Sequence, residues 1–140
     1  MLVKKVRKLY DKEYDLNCAE CILTAAIEEY ELDIPQKSLK LMSAFGGGMG
    51  IGSVCGALTG GAAVLGIIFT EKRGHQSPQA KMITAEFIGN FKERLKVIDC
   101  VPLKENYFKG EERCIVIMET AAEELEKVIC KYRDIYPTFK

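Results

Sequence analysis

SAFGGGMGIGSVCGALTGGAAVLGIIFT, running from Ser43 to Thr70, decides how the rest of the chain must fold. The stretch holds nine of the twelve glycines, has no charged side chain, and places Cys55 near its middle. Glycine inside a helix costs about 1 kcal/mol relative to alanine. So dense a run therefore answers a need: backbone approach closer than a Cβ permits, or φ angles that other residues avoid. Gly46-Gly47-Gly48 follows a helical pattern ending at Phe45 and reads as its C-terminal stop. Gly52, Gly56 and Gly60 recur every four residues, on one side of a helix, where a second backbone packs at short range. Cys55 lies beside that stripe and near the helix start, where free N–H groups and the helix dipole favour a thiolate.

The same run raises a membrane question. Leu41 to Thr70 is thirty residues without a charge, and a bilayer needs about 20. Against a span, Gly46 to Gly52 is too glycine-rich for a lipid-exposed helix, and the strongly apolar part is only Val54 to Phe69. A helix apolar all round is also what a buried central helix looks like. That reading is adopted here, and membrane association is not expected.

Outward from this centre, the chain reads as amphipathic helices. Leu2, Val3, Val6, Leu9 and Tyr10 form one helical face with Lys and Arg opposite. Asn17 and Glu20 make a capping-box start for a helix striped by Ala19, Ile22, Leu23, Ala26, Ile27 and Tyr30. Asp33-Ile-Pro35 opens a third helix with Leu39, Met42 and Phe45 inward. The central helix ends near Glu71-Lys-Arg-Gly74, and Ser77-Pro78 starts the next, striped by Ile83, Phe87, Phe91, Leu95 and Ile98. Cys100-Val-Pro102 breaks that pattern, and a loop runs to Gly110. The last helix repeats Cys114, Met118, Ala121, Leu125, Val128 and Tyr132. No period-2 alternation is long enough for a strand. The expectation is an all-α bundle of about six helices around one buried glycine-rich helix, in a single domain over residues 1–140.

Twenty basic residues balance twenty acidic ones, so nothing points to nucleic acid. Met1-Leu-Val-Lys-Lys-Val-Arg runs into an amphipathic pattern rather than a signal peptide, and a cytoplasmic location is expected. Six cysteines in that setting read as reduced thiols, metal ligands or redox groups rather than as a secreted disulfide framework.

Helical geometry sorts the six. Cys18 lies on the flank of its helix in the first turn, and Cys114 on the inward stripe, also in the first turn. Cys55 is near a helix start, and Cys100 is in a loop. Cys21 falls almost opposite the apolar stripe of its helix, and Cys130 points well away from Cys114, so both read as bystanders. Competing motifs are weaker. Cys18-Ala-Glu-Cys21 has no preceding strand, as a thioredoxin-type site would need. GGMGIG follows a helix and lacks a GK[ST], against phosphate binding. His75, the sole histidine, sits in a loop, which argues against a Cys/His protease. No CxxCH occurs, so no covalent haem is expected.

Asn17-Cys18-Ala-Glu20, Gly52-Ser-Val-Cys55-Gly-Ala-Leu-Thr-Gly60, Asp99-Cys100-Val-Pro-Leu103 and Cys114 before a terminal helix together resemble the redox-active family named for its C-GCAxxG-C-C pattern. The resemblance covers nearly the whole chain. It implies a small helical protein with an inferred redox role, no established substrate, and four signature cysteines: Cys18, Cys55, Cys100 and Cys114. Cys21 and Cys130 fall outside the pattern, although Cys21 is close enough to Cys18 to take its place. The family is also similar to part of the split-Soret cytochromes, which carry an iron–sulfur cluster besides haem. Only the cluster half of that similarity could transfer here.

Three mechanisms follow. Cys18, Cys55, Cys100 and Cys114 could ligate an iron–sulfur cluster, with Gly52, Gly56, Ala57 and Gly60 lining the cofactor and letting backbone N–H groups reach the sulfurs. Zinc stays open, since four cysteines close a tetrahedral shell. The same four could instead be redox-active without metal, exchanging disulfides with a partner thiol. Third, the chain could be a helical interaction module whose glycine stripe packs a partner helix or a second copy, which is compatible with a homodimer. The leading expectation is a redox-active or electron-transfer protein, enzyme or carrier, that meets a redox partner protein.

Overall fold

A computed structural model describes residues 1–139. The fold is all-α: among these residues there is no strand, and the helices are α1 (Leu2–Leu9), α2 (Cys18–Tyr30), α3 (Gly56–Phe69), α4 (Pro78–Leu95), α5 (Cys100–Tyr107) and α6 (Ile115–Tyr132). A 3-10 segment, Gln36–Phe45, takes the place of the third helix. Pro35 precedes it, Met42 is buried, and Leu39 and Phe45 pack against the core.

The central helix is α3. Its buried residues, from Gly56 to Phe69, include Leu58, Val64, Leu65 and Ile68. It packs most closely on α2, with α4 and α6 also against it; α1 and α6 close the bundle on the remaining sides of α2. Fully buried Phe87 and Phe91 from α4 and Leu125 from α6 fill the layer opposite, each such side chain contributing about 1.5–3 kcal/mol by leaving water. The helix stops at Phe69, earlier than expected, and Thr70 is extended. The chain's last described residue returns to this end, where the Phe139 N–H donates to the Ile68 carbonyl at 2.7 Å. No described helix is long and apolar enough to cross a membrane.

Both reasons for the glycines are realised, at different places. A Cβ on Gly60 would stand 2.8 Å from the Ala19 carbonyl oxygen, and one on Gly61 would stand 2.5 Å from the Phe87 ring. Here the need is close approach of α2 and α4. Before the helix, Gly47, Gly48, Gly50 and Gly52 all have φ between 63° and 74°, and Met49 joins them at 60°. This left-handed turn is closed by the Ser53 N–H on the Gly48 carbonyl at 3.0 Å. Gly52 belongs to the turn, not to the helical stripe with Gly56 and Gly60, and the helix starts only at Gly56.

The capping box of α2 forms as expected: Asn17 Oδ1 accepts from the Glu20 N–H at 2.8 Å, and the Glu20 carboxylate accepts from the Asn17 N–H at 2.9 Å. Asn17 also donates through Nδ2 to the carbonyls of Met42 and Ser43. One side chain thus fixes the start of α2 against the end of the 3-10 segment. Ser77 precedes Pro78 but does not cap α4; its hydroxyl accepts from the Glu71 N–H instead.

Two expectations fail here. The segment after Cys100 is not a loop to Gly110, because Cys100–Tyr107 is helical. Pro102 falls in the first turn, where a missing N–H breaks no intrahelical bond. Cys21 is not on an outer face: it is fully buried, and its thiol donates to the Val6 carbonyl at 3.7 Å. α2 is enclosed by α1, α3 and α6, so the face opposite its apolar stripe is covered as well.

Candidate functional site

Cys18 is the first residue of α2, Cys55 caps the start of α3, Cys100 is the first residue of α5, and Cys114 caps the start of α6. All four line one cavity of about 200 Å³. Leu16, Leu103 and Ile117 supply apolar wall, Gly47 and Gly56 supply backbone, and Asn17, Lys104, Arg113, Tyr10 and Phe108 complete it. Four helix N-termini thus face a single space. Each contributes unpaired N–H groups and a positive dipole end.

Local backbone pairing sets the positions. The Cys55 N–H donates to the Ile98 carbonyl at 2.9 Å and the Cys100 N–H to the Ser53 carbonyl at 2.7 Å. These two bonds form an isolated antiparallel bridge between Val54 and Asp99, which holds the starts of α3 and α5 together. Gly48 packs beneath: a Cβ there would stand 2.9 Å from that of Cys100. On the other side, a Cβ on Gly56 would stand 3.2 Å from the Cys18 Cβ. Near Cys114, the Cys114 N–H donates to the Tyr10 hydroxyl at 3.3 Å. Arg113 stacks on the Tyr10 ring with its guanidinium 4.1 Å from the centroid, and donates through Nη2 to the Tyr10 carbonyl.

The electrostatics divide between burial and these donors. Burial pushes the Cys55 thiol up to about 11, against the N–H groups of Ala57 and Leu58, which favour its thiolate. The expected stabilisation by the helix start is present but loses to burial. The Cys18 thiol is pushed up to about 12 by burial and then by the charges of Cys55 and Cys114, with Cys21 and Cys100 adding less. Cys114 is raised by burial, while the neighbouring Tyr10 hydroxyl and the charges of Lys104 and Arg113 act in the opposite sense. All six cysteines are free, and Cys130 is exposed. Among the described residues, no three Cys, His, Asp or Glu side chains stand close enough to hold a single metal ion.

The four signature cysteines, chosen on the sequence, are therefore brought together. Cys21, which is buried, and Cys130, which is exposed, do not line the cavity. Of the glycine-segment residues expected to line a cofactor, Gly56 lines the cavity. Ala57 offers its N–H to Cys55, Gly60 packs on Ala19, and Gly52 packs on Val101. On the sequence Tyr10 reads only as part of the apolar face of α1, and Lys104, Phe108 and Arg113 are not singled out. No motif marks them, and only the position of Arg113 beside Cys114 was a signal.

A family model described as "Putative redox-active protein (C_GCAxxG_C_C)" matches residues 16–128, which includes all four cavity cysteines. The chain belongs to this redox-active family. Neither the curated proteins nor the solved structures compared with it contain a match. The family's matched span runs from the residue before the α2 cap to the last turns of α6, so it takes in every residue that lines the cavity except Tyr10 at the end of α1.

Proposed function

We propose that Cys18, Cys55, Cys100 and Cys114 hold an iron–sulfur centre through which this family member carries electrons. The observation that carries the reading is the convergence of four cysteine-bearing helix N-termini on one cavity. An iron–sulfur centre with four thiolate ligands is anionic, and N–H groups with positive dipole ends favour an anion. Lys104 and Arg113 add positive charge to the same wall.

The donor set fits a cluster better than a single ion. Zinc demands four sulfurs at about 2.3 Å from one atom, and among the described residues no three Cys, His, Asp or Glu side chains stand close enough to hold a single ion. A cluster takes its ligands around the outside of a polynuclear core, and the four cysteines line one cavity of about 200 Å³. When bound, such a centre supplies one-electron transfer. The chain's own part is to exclude water with Leu16, Leu103 and Ile117, and to favour the Cys55 thiolate with the Ala57 N–H. Hydrogen bonds of that kind tune a cluster's potential.

Thiol–disulfide exchange without metal fits less well. An attacking thiol needs access and thiolate character, whereas Cys55 and Cys114 are each 5% exposed. The interaction-module reading loses its docking face, since Gly56 and Gly60 already pack on α2 of the same chain. The deciding experiment is purification without oxygen, with an absorption spectrum and iron, zinc and acid-labile sulfide measured per chain. Iron with sulfide in a brown protein supports the reading. A colourless, metal-free protein whose thiol count changes on oxidation would replace it with disulfide chemistry.

A further inference from the structure

The two faces of α5 differ. Cys100 and Leu103 are buried and line the cysteine cavity. Val101, Lys104, Glu105 and Phe108 are exposed and follow one another at helical spacing, as a single stripe along the outer side. Val101 and Phe108, at the two ends of the stripe, are 52% and 45% exposed. Its middle is a cation followed by a carboxylate, and among the described residues neither Lys104 nor Glu105 has an ion-pair partner. The Lys104 ammonium lies 5.9 Å from the centroid of the Phe108 ring, which keeps the stripe continuous.

Reversed in direction, this stripe is its own complement. Let two copies of α5 lie antiparallel about a two-fold axis midway between Lys104 and Glu105. Val101 then meets Phe108 of the partner subunit, and Lys104 meets Glu105 of the partner subunit. Every contact occurs twice, as an isologous interface requires. A second copy therefore carries the matching charges and apolar ends already. The glycine turn enlarges the same face. A Cβ on Gly52 would stand 2.4 Å from Val101 Cγ2, so the turn lies against the first residue of the stripe. Next to it, Ile51 is 80% exposed, and Met49 is 41% exposed and held at φ 60°. Large apolar side chains gathered on one exposed face mark a contact surface.

We propose that this chain forms a two-fold dimer through antiparallel α5 helices, with Met49 and Ile51 at the edges of the contact. Dimerisation does not depend on the iron–sulfur reading. A pair of eight-residue helices with a flanking turn lies at the small end of specific interfaces, about 1,200 Å² in total or less, so a dissociation constant of about 10–100 µM is expected. Because Cys100, Lys104 and Phe108 line the cavity, the axis would bring two cysteine cavities to either side of one contact.

The test is sedimentation equilibrium of the full chain, purified without oxygen and kept under reductant so that the exposed Cys130 cannot cross-link copies. Iron is counted on the same samples, so the iron–sulfur reading is scored separately. Wild type is expected to pass from one chain to two between about 1 µM and about 1 mM. Lys104→Glu and Glu105→Lys each set like charges against one another at both contacts and should weaken the dimer about tenfold. The double variant restores opposite charges and should return to within about threefold of wild type. Val101→Asp should leave a monomer, whereas Met82→Asp, at an exposed apolar residue of α4, should dimerise as wild type does. A wild-type chain that stays monomeric to about 1 mM overturns the proposal and leaves the stripe to a different protein. A dimer that neither single charge variant weakens also overturns it, as does a double variant no tighter than the single ones, because only the antiparallel register predicts the rescue.

Discussion

Cys55 and Cys100, far apart in sequence, are held side by side by main-chain hydrogen bonds on either side of the Val54–Asp99 bridge, Cys55 N–H to Ile98 and Cys100 N–H to Ser53. The pairing uses no side chain, so the two sulfurs are positioned by backbone alone. Cys18 and Cys114 join from α2 and α6. Replacing a cysteine therefore removes a sulfur without moving its neighbours.

On the iron–sulfur reading proposed above, Cys55→Ala or Cys114→Ala should abolish the centre, read as loss of iron and sulfide from otherwise folded protein. Cys130→Ala should match the wild type in both content and melting. Cys21→Ala should keep the centre but melt lower, because a fully buried thiol is lost and a small cavity replaces it. Loss of iron in Cys21→Ala with retention in Cys114→Ala would overturn the assignment of ligands.

Asn17 is a place where a usually harmless exchange should fail. Asp and Asn serve about equally as helix N-caps. Here, however, the amide nitrogen of Asn17 donates at 3.2 Å and 3.1 Å to the carbonyls of Met42 and Ser43. Asn17→Asp would point a carboxylate oxygen at two carbonyl oxygens. It should cost about as much as Asn17→Ala, on the order of 1–2 kcal/mol, by urea denaturation. A wild-type midpoint for Asn17→Asp would show that the bonds to the 3-10 segment contribute little.

Much of the fold was legible because α1, α4 and α6 each bury one stripe, so that their faces follow directly from spacing, and because α2 opens on a capping box. What was not legible had specific causes. Pro102 looks like a breaker, yet in the first turn it removes only an N–H that a helix leaves unpaired anyway. Cys21 looked exposed because periodicity assumes one buried face, whereas α2 is covered on more than one. The Gly52–Gly56–Gly60 spacing mimics a stripe across a boundary where the left-handed turn ends and α3 begins. Tyr10 and Arg113 reach the cavity from opposite ends of the chain, and no local pattern encodes that meeting.

Glycines should divide cleanly by what lies above them. Gly60→Ala forces a Cβ to 2.8 Å from the Ala19 carbonyl oxygen, so α2 and α3 must separate. Overpacking of this kind costs about 1–3 kcal/mol. Gly89 lies exposed within α4 with nothing within 4 Å of its would-be Cβ, and Gly89→Ala should stabilise by about 1 kcal/mol. Thermal melting of the two variants should move in opposite directions. Movement in the same direction would rule out close approach as the reason for Gly60.

Alkaline pH should weaken the reduced, metal-free protein. Burial raises Cys55 from the ordinary 9.0 to about 11 and Cys18 to about 12. Above pH 9 the unfolded chain releases protons that the folded chain retains, so stability is full below that range and falls as pH rises through the folded values. The urea midpoint should drop between about pH 9 and about pH 11, and drop less in Cys18→Ala. A midpoint that stays flat across this range would mean that the thiols are better solvated than their burial implies.

The starts of α2, α3, α5 and α6 lie at one spot, although they span most of the chain's length. Whatever engages all four sulfurs therefore acts as a knot tied through the backbone at four places, closing large loops in any unfolded form that keeps it. Occupancy and folding are then linked: the last helix must be in place before the fourth sulfur can bind. A chain truncated before Cys114 would lose the means of gripping the other three.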